Sequence, residues 1–450
     1  MAVTFQDLGV AKWLVEALTA MKIYTPTAIQ AACIPKVLNG HDCIGGAQTG
    51  SGKTIAFAAP MLTRWSENPS GVFGLVLTPT RELAYQIAEQ FQALGANANL
   101  KVIVIVGGED MTAQTLELAK CPHFVIATPG RLADHILSSG EDVIRGLRRV
   151  KYLVLDEADR LLTNSFADHL DTCFSALPPP SQRQNMLFTA TVTDSIRAIK
   201  EKPVAAGKPE FFIHEVDTVD KVAIPSTLSI SYIFLPSNVK AYYLHCLMTL
   251  EEHTNKSAII FVNRTYTAEL ITRTLSRLGL NVTSLNSDLK QADRTSSYHR
   301  FKSGAARILV ATDVASRGLD IPQVALVVNY DLPADPDDYI HRVGRTARAG
   351  RKGESISLVS EKDIERVLAI EERVGKKMEK YEEVSENKVI ANSMKVTSVA
   401  LREAEMEMEK AENTIREKKK INKRKHASEF VLAAQQDKRK VVKKGNLVTK

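Results

Sequence analysis

Ala47-Gln48-Thr49-Gly50-Ser51-Gly52-Lys53-Thr54 stands between a short apolar run at 43–45 and a helical pattern at 55–65. A strand that feeds such a loop, followed by a helix that leaves it, presents backbone N–H groups at a helix N-terminus, where negative charge is stabilised. Gly50 and Gly52 let those groups turn toward phosphate oxygens, Lys53 adds a point charge, and Thr54 offers a hydroxyl to Mg²⁺. Gln48 stands where the loose phosphate-loop motif has Gly. An ordinary tight turn is the competing reading of Gly-Ser-Gly-Lys-Thr taken alone.

Around the loop, short β-rich apolar runs at 74–78, 102–106, 124–127, 151–155 and 185–189 alternate with longer helical patterns. Strands that are apolar throughout are buried on both faces, which is the signature of a parallel sheet covered by helices. The alternation breaks across 203–226, where Pro203, Gly207, Pro209 and Pro225 punctuate a polar stretch. It resumes at 257–262, 282–285, 307–310, 324–329 and 355–360, and a helical pattern at 363–379 closes the second unit. The expected fold class is therefore α/β, with two tandem parallel-sheet lobes. The expected boundaries are an N-terminal segment 1–31, a first lobe 32–205, a linker 206–226, a second lobe 227–380 and a basic, partly helical or disordered tail 381–450.

Length and charge agree with this layout. At ~150 residues per domain, 450 residues allow two or three domains and exclude a peptide hormone or a disulfide knot. Apolar and charged fractions of 44% and 25% describe a folded chain. Residues 401–450 hold 15 Lys+Arg against 8 Asp+Glu, whereas the first 400 balance at 44 against 44. A neutral body with a basic end suggests a site in the body and a tail that seeks a polyanion. Cys33, Cys43, Cys121, Cys173 and Cys246 are scattered singly, so neither a disulfide framework nor a zinc ribbon is indicated and a reducing compartment is expected. No uncharged apolar stretch approaches the ~18 residues of a membrane span, and the first residues carry no secretory pattern.

Two further stretches carry chemistry. The run Tyr152-Leu153-Val154-Leu155 delivers Asp156-Glu157-Ala158-Asp159 to the carboxyl end of a strand, where ligands lie in open α/β sheets. Phosphoryl transfer to water needs a carboxylate that holds the metal and a group that orients the water; Asp156 suits the first task and Glu157 the second. In the second lobe, His341-Arg342-Val343-Gly344-Arg345-Thr346-Ala347-Arg348 places Arg345 and Arg348 three apart, able to neutralise charge on a transferring γ-phosphate. A phosphate loop in one lobe and arginine fingers in the other make a site that is complete only when the lobes close.

With these stretches the chain resembles the DEAD-box ATP-dependent RNA helicases, in family order from about Phe5 to Arg348. Pro79-Thr80-Arg81-Glu82-Leu83, Gly107-Gly108, Thr128-Pro129-Gly130-Arg131, Thr189-Ala190-Thr191, Gln291 with Arg294, and Thr312-Asp313 through Asp320 complete the series. The resemblance implies two RecA-like lobes and an RNA-dependent ATPase that uses ATP and Mg²⁺. It implies nucleotide contacts at Phe5, Gln30, Ala47, Gln48, Thr49, Gly50, Ser51, Gly52, Lys53, Thr54 and Asp320, with Mg²⁺ held by Thr54 and, partly through water, Asp156. A Gln amide offers one donor and one acceptor edge and can pair with adenine. Lys53, Asp156, Glu157, Arg345 and Arg348 take the catalytic roles. Asp159, Thr189, Thr191 and His341 take the coupling roles. Arg81, Gly108, Thr128, Arg131, Arg294 and Thr312 line the RNA backbone, which they bind without reading sequence.

The resemblance extends to the ribosome-assembly branch of the family, which implies nucleolar work on pre-ribosomal RNA for the small subunit. RNA, a protein activator, a monomeric state and no membrane are the expected associations. An ATP-gated RNA clamp with little unwinding uses the same residues and stays open as an alternative; an inactive scaffold and a DNA-directed motor rank lower. Between 416 and 450 there are 13 basic and 3 acidic residues, which read as an RNA arm, a nuclear import segment or a solvated helix end.

Overall fold

The computed structural model describes residues 3–47, 50–138, 141–189, 196, 198–199, 207–215, 227–313, 323–347, 352–411 and 413. The first lobe contains β1 Cys43–Gly46, β2 Gly74–Leu77, β3 Val102–Ile105, β4 Phe124–Ala127, β5 Tyr152–Asp156, β6 Gln184–Thr189 and β7 Phe212–Glu215. They form one parallel sheet in the order β3-β4-β2-β5-β6-β1-β7. Successive residues of each strand enter opposite layers: Val76, Val154 and Phe188 join one core, and Leu75, Leu153 and Leu187 the other. Each such buried side chain contributes about 1.5–3 kcal/mol. The doubly covered sheet is the reason these strands read as continuous apolar runs.

The second lobe repeats the design with β8 Leu228–Phe234, β9 Ala258–Val262, β10 Val282–Leu285, β11 Ile308–Thr312, β12 Leu326–Asn329, β13 Gly353–Val359 and the two-residue β14 Glu379–Lys380. Their order is β10-β11-β9-β12-β13-β8-β14. Helices cover both faces of each sheet, as expected for paired RecA-like lobes.

Two segments differ from the sequence expectation. Residues 212–215, placed in the linker, pair with β1 as β7, and Lys36 Nζ lies 5.4 Å from the Phe212 ring centre. Preceding Pro and Gly residues masked this short edge strand. Residues 395–411, placed in the tail, are helical and dock on lobe two. Ala400, Ala404 and Met408 recur every four residues and are buried, while Thr397 donates to or accepts from His245 Nδ1 at 2.8 Å. Arg273 and Arg277 of the helix Thr265–Arg277 pair with Glu407, and Arg277 also with Glu403. The segment forms no core of its own, because its narrow apolar stripe is satisfied only against another surface.

Candidate ATP site and inter-lobe cleft

The adjacent strands β5, β6 and β1 end at one rim of lobe one. Asp156 closes β5, Thr189 closes β6, and β1 runs into Ala47, whose N–H donates to the Thr189 carbonyl at 3.1 Å. The helix Lys53–Glu67 starts directly after the loop, with Gly52 as its left-handed cap. Gly50 and Gly52 have φ of +82° and +89°, a region that costs other residues about 1–2 kcal/mol. A Cβ on Gly52 would also lie 2.2 Å from Gln30 Nε2.

That close approach shows what Gln30 does in the fold. Its Nε2 donates to the Gly52 carbonyl at 3.0 Å, its Oε1 accepts from the Thr27 N–H at 2.9 Å, and Thr27 Oγ1 donates to the Ser51 carbonyl at 2.8 Å. The glutamine thus holds the phosphate loop while retaining one N–H and one lone pair for a base. Phe5, expected at the nucleotide, is 2% exposed and packs in the lobe-one core, where it seats the N-terminal segment.

Lys53 Nζ donates to the Ala47 carbonyl at 2.5 Å, which keeps the ammonium within the loop. Thr54 and Ser51 are half-buried, and Ser51 Oγ has no hydrogen-bond partner among the described residues. Burial raises the Asp156 carboxyl to about 7; Lys53 acts in the opposite sense, while Glu157 and Asp159 add to the rise. A carboxylate so deprived of water is stabilised in its charged form by a cation, and its oxygens suit a hard divalent ion. Glu157 has φ 53° and ψ 52°. A left-handed glutamate is unusual, and such strain persists where the surroundings fix a functional side chain.

On the other side of β5, the ends of β2, β4 and β3 continue the same rim. Arg81 opens the helix Arg81–Leu94 and lies against Gly108, where a Cβ would meet Arg81 Nη1 at 2.4 Å. Gly108 has φ +85°, so its lack of a side chain serves both backbone and neighbour. Thr128 follows β4, and Arg131 lies in the helix Pro129–Ser138 with its Nε buried and unpartnered among the described residues. Thr312 Oγ1 at the end of β11 is in the same condition. Buried polar atoms without partners are rare in folded proteins.

The two lobes face each other across these rims. His341 Nε2 lies 3.8 Å from Asp159 Oδ2, which brings together two of the residues expected to couple the lobes. Arg294, expected along the RNA backbone, pairs through its Nη2 with Glu82 Oε1 of lobe one at 2.6 Å, with side chains 5% and 7% exposed. Gln86 Nε2 also donates to the Tyr298 hydroxyl at 3.4 Å across the cleft. Burial pushes the Arg160 guanidinium below its ordinary value, while Glu157 of its own lobe and Asp313 of the other pull it back up.

Arg342 had no role in the sequence reading beyond membership of its motif. It is 2% exposed and donates to both Asp313 oxygens at 2.6 Å, to Asn263 Oδ1 at 2.9 Å and to the Asp331 carbonyl at 2.6 Å, above the Phe261 ring. This network fixes the helix Pro336–Val343, which carries His341. Arg345 follows in the next turn, 3% exposed. Gln48, Thr49, Thr191, Asp320 and Arg348 lie outside the described residues.

Residues 27–199 match the DEAD/DEAH box helicase family model, and 239–350 match the helicase conserved C-terminal domain. The ATP-dependent RNA helicase DBP8 of Candida albicans is 67% identical over 428 residues, 95% of this chain and 97% of that protein. The chain is a DEAD-box ATP-dependent RNA helicase. Among other members, DBP8 of Saccharomyces cerevisiae (strain ATCC 204508 / S288c) is 61% identical over 421 residues, 93% of this chain and 98% of its own. S. cerevisiae Dbp5 bound to RNA and ADP BeF3 is 31% identical, with a TM-score of 0.73 over 89% of this helicase and all of that chain. Mss116p (NTE and C-tail double deletion) bound to ssRNA and AMP-PNP is 29% identical, with a TM-score of 0.77 over 88% of this chain and 83% of that one.

Proposed function

We propose that this helicase hydrolyses ATP only when RNA holds its two lobes together, and that it remodels pre-ribosomal RNA during small-subunit assembly in the nucleolus. The observation that carries the first part is the partition of the site. The phosphate loop, Asp156 and Glu157 belong to lobe one, Arg345 and Arg348 to lobe two, and the Glu82–Arg294 and Asp159–His341 pairs cross between them.

Lys53 and the loop amides bind the phosphates, and Gln30 presents its remaining donor and acceptor to the adenine. Mg²⁺, for which Asp156 and Thr54 would be the holders, neutralises phosphate charge when bound. Glu157 orients the attacking water, and Arg345 with Arg348 stabilises charge on the transferring phosphoryl group. Arg81, Gly108, Thr128, Arg131 and Thr312 take the RNA backbone, and Arg294 acts through closure. ATP and RNA each favour the closed cleft, so each assists the other's binding by linkage. Hydrolysis removes one of the ligands that keep it shut, and short duplexes come apart locally.

The ribosomal assignment is supported by similarity to the DBP8 helicases and by the basic segment 416–450. The decisive measurement is ATP turnover with and without single-stranded RNA. Stimulation by RNA in the native chain and its loss in an R345A/R348A variant are expected; equal turnover in all four conditions would overturn the mechanism. Crosslinking to RNA in cells tests the pre-ribosomal target, and strand displacement separates unwinding from clamping.

A further inference from the structure

The pole of lobe one opposite the ATP site is also basic. Lys101, Lys151, Arg183 and Lys208 stand at the amino ends of β3, β5, β6 and β7, and the sheet order sets them along one edge. Adjacent strands are about 4.8 Å apart, so these cations recur at steps of roughly 5–15 Å, which a strand with one charge per ~3.4 Å or more of rise can follow. Arg148 and Arg149, in the turn just before β5, are exposed and extend the row. The side chains of Lys101, Arg148, Arg149 and Lys151 have no hydrogen-bond or ion-pair partner among the described residues.

A cavity of about 370 Å³ opens in this edge between Lys151, Arg183, Tyr152, Ser181 and Gln182. Two carboxylates reach the area, and each is already engaged: Asp42 with Lys208 at 2.8 Å and Glu67 with Arg64 at 2.9 Å. Arg183 is held instead by the neutral Pro178 carbonyl at 2.9 Å and Asn185 Oδ1 at 3.0 Å, and it is 8% exposed. Its charge is therefore fixed in place, with Asp42, already paired to Lys208, as the carboxylate that acts on it. The Tyr152 hydroxyl has no partner among the described residues and adds a donor beside it.

We propose that this edge is a second, sequence-independent RNA contact, which takes the phosphates of a strand that continues beyond the inter-lobe cleft. Cations and hydroxyl or amide donors spread in a line suit an extended polyanion rather than one compact acidic ligand. The inference rests on the cleft's binding RNA, which the proposed function already requires. A lobe of this size is about 40 Å across, so only RNA with a long flank reaches from the cleft to this pole.

The test uses the full chain with R148E/R149E/K151E, and RNAs of about 10 and about 40 nucleotides titrated across salt concentrations. The expected result is a loss of affinity of at least about tenfold for the long RNA and a salt slope shallower by about two. Affinity for the short RNA and its ATPase stimulation stay at native values. Long-RNA affinity and slope equal to those of the native protein would overturn the proposal, as would an equal loss on both lengths, which would put the lesion in the cleft. If the substitutions abolish binding of poly-glutamate and leave long RNA unaffected, the edge serves an acidic protein and the proposal falls. Failure of the cleft reading is recognised separately, by native protein whose turnover ignores the short RNA.

Discussion

Replacing Arg294 by alanine leaves the Glu82 carboxylate, 7% exposed, alone in the closed cleft. Removing one member of a buried ion pair costs about 3–5 kcal/mol, because the remaining charge is neither solvated nor paired. Neither side chain has the solvent screening that makes surface pairs weak. Burial pushes the Arg294 guanidinium below its ordinary value and Glu82 partly restores it, in keeping with a desolvated pair. When the cleft opens, Glu82 regains water, so the penalty falls on closure alone. Closure should weaken by roughly 10²- to 4 × 10³-fold, at 1.4 kcal/mol per decade. The assay is fluorescence anisotropy of single-stranded RNA with a non-hydrolysable ATP analogue, alongside energy transfer between dyes on the two lobes. The E82A/R294A double variant removes the stranded charge and should bind at least tenfold better than R294A. If the double variant binds no better than R294A and the two single effects simply add, Arg294 acts on RNA directly and the closure argument is wrong.

Four further outcomes are expected. Glu157→Gln should keep ATP and RNA binding while turnover falls by at least about 10², measured under single-turnover conditions. Gly52→Ala combines a left-handed backbone, which costs about 1–2 kcal/mol, with a clash against Gln30, and should weaken ATP at least tenfold by calorimetry. Truncation after residue 413 should lower RNA affinity and its salt dependence without changing the melting temperature, whereas truncation after 394 should also destabilise lobe two, since Ala400, Ala404 and Met408 leave their packing. Burial lowers the pKa of His245, which contacts Thr397, so the unfolded chain takes up the proton first as pH falls below the ordinary 6.5. Stability is therefore full above that value and is lost toward acid, and H245Q should flatten the melting-temperature profile between pH 7 and 5.

Strands with both faces covered were legible because their sequences are apolar at every position, as in Phe124–Ala127 or Ala258–Val262. β8 was not, since Leu228–Phe234 alternates polar and apolar residues beside the short edge strand β14. The site was legible where function fixes both residue type and spacing, as in the phosphate loop and Asp156-Glu157. It was not legible where a role depends on a distant partner. Glu82 and Arg294 lie more than 200 positions apart, and nothing local distinguishes a guanidinium waiting for phosphate from one already paired. The burial of Phe5 was hidden for the same reason, because the core that receives it is assembled from residues far along the chain. Residues 395–411 have the composition of a solvated helix, and only the docking surface reveals which side is buried.

The Arg342 network ties Asn263, Asp313 and Asp331 to the helix that carries His341, all within lobe two. The bonds that orient His341 toward the cleft therefore draw on no residue of lobe one, and its placement is a property of lobe two alone.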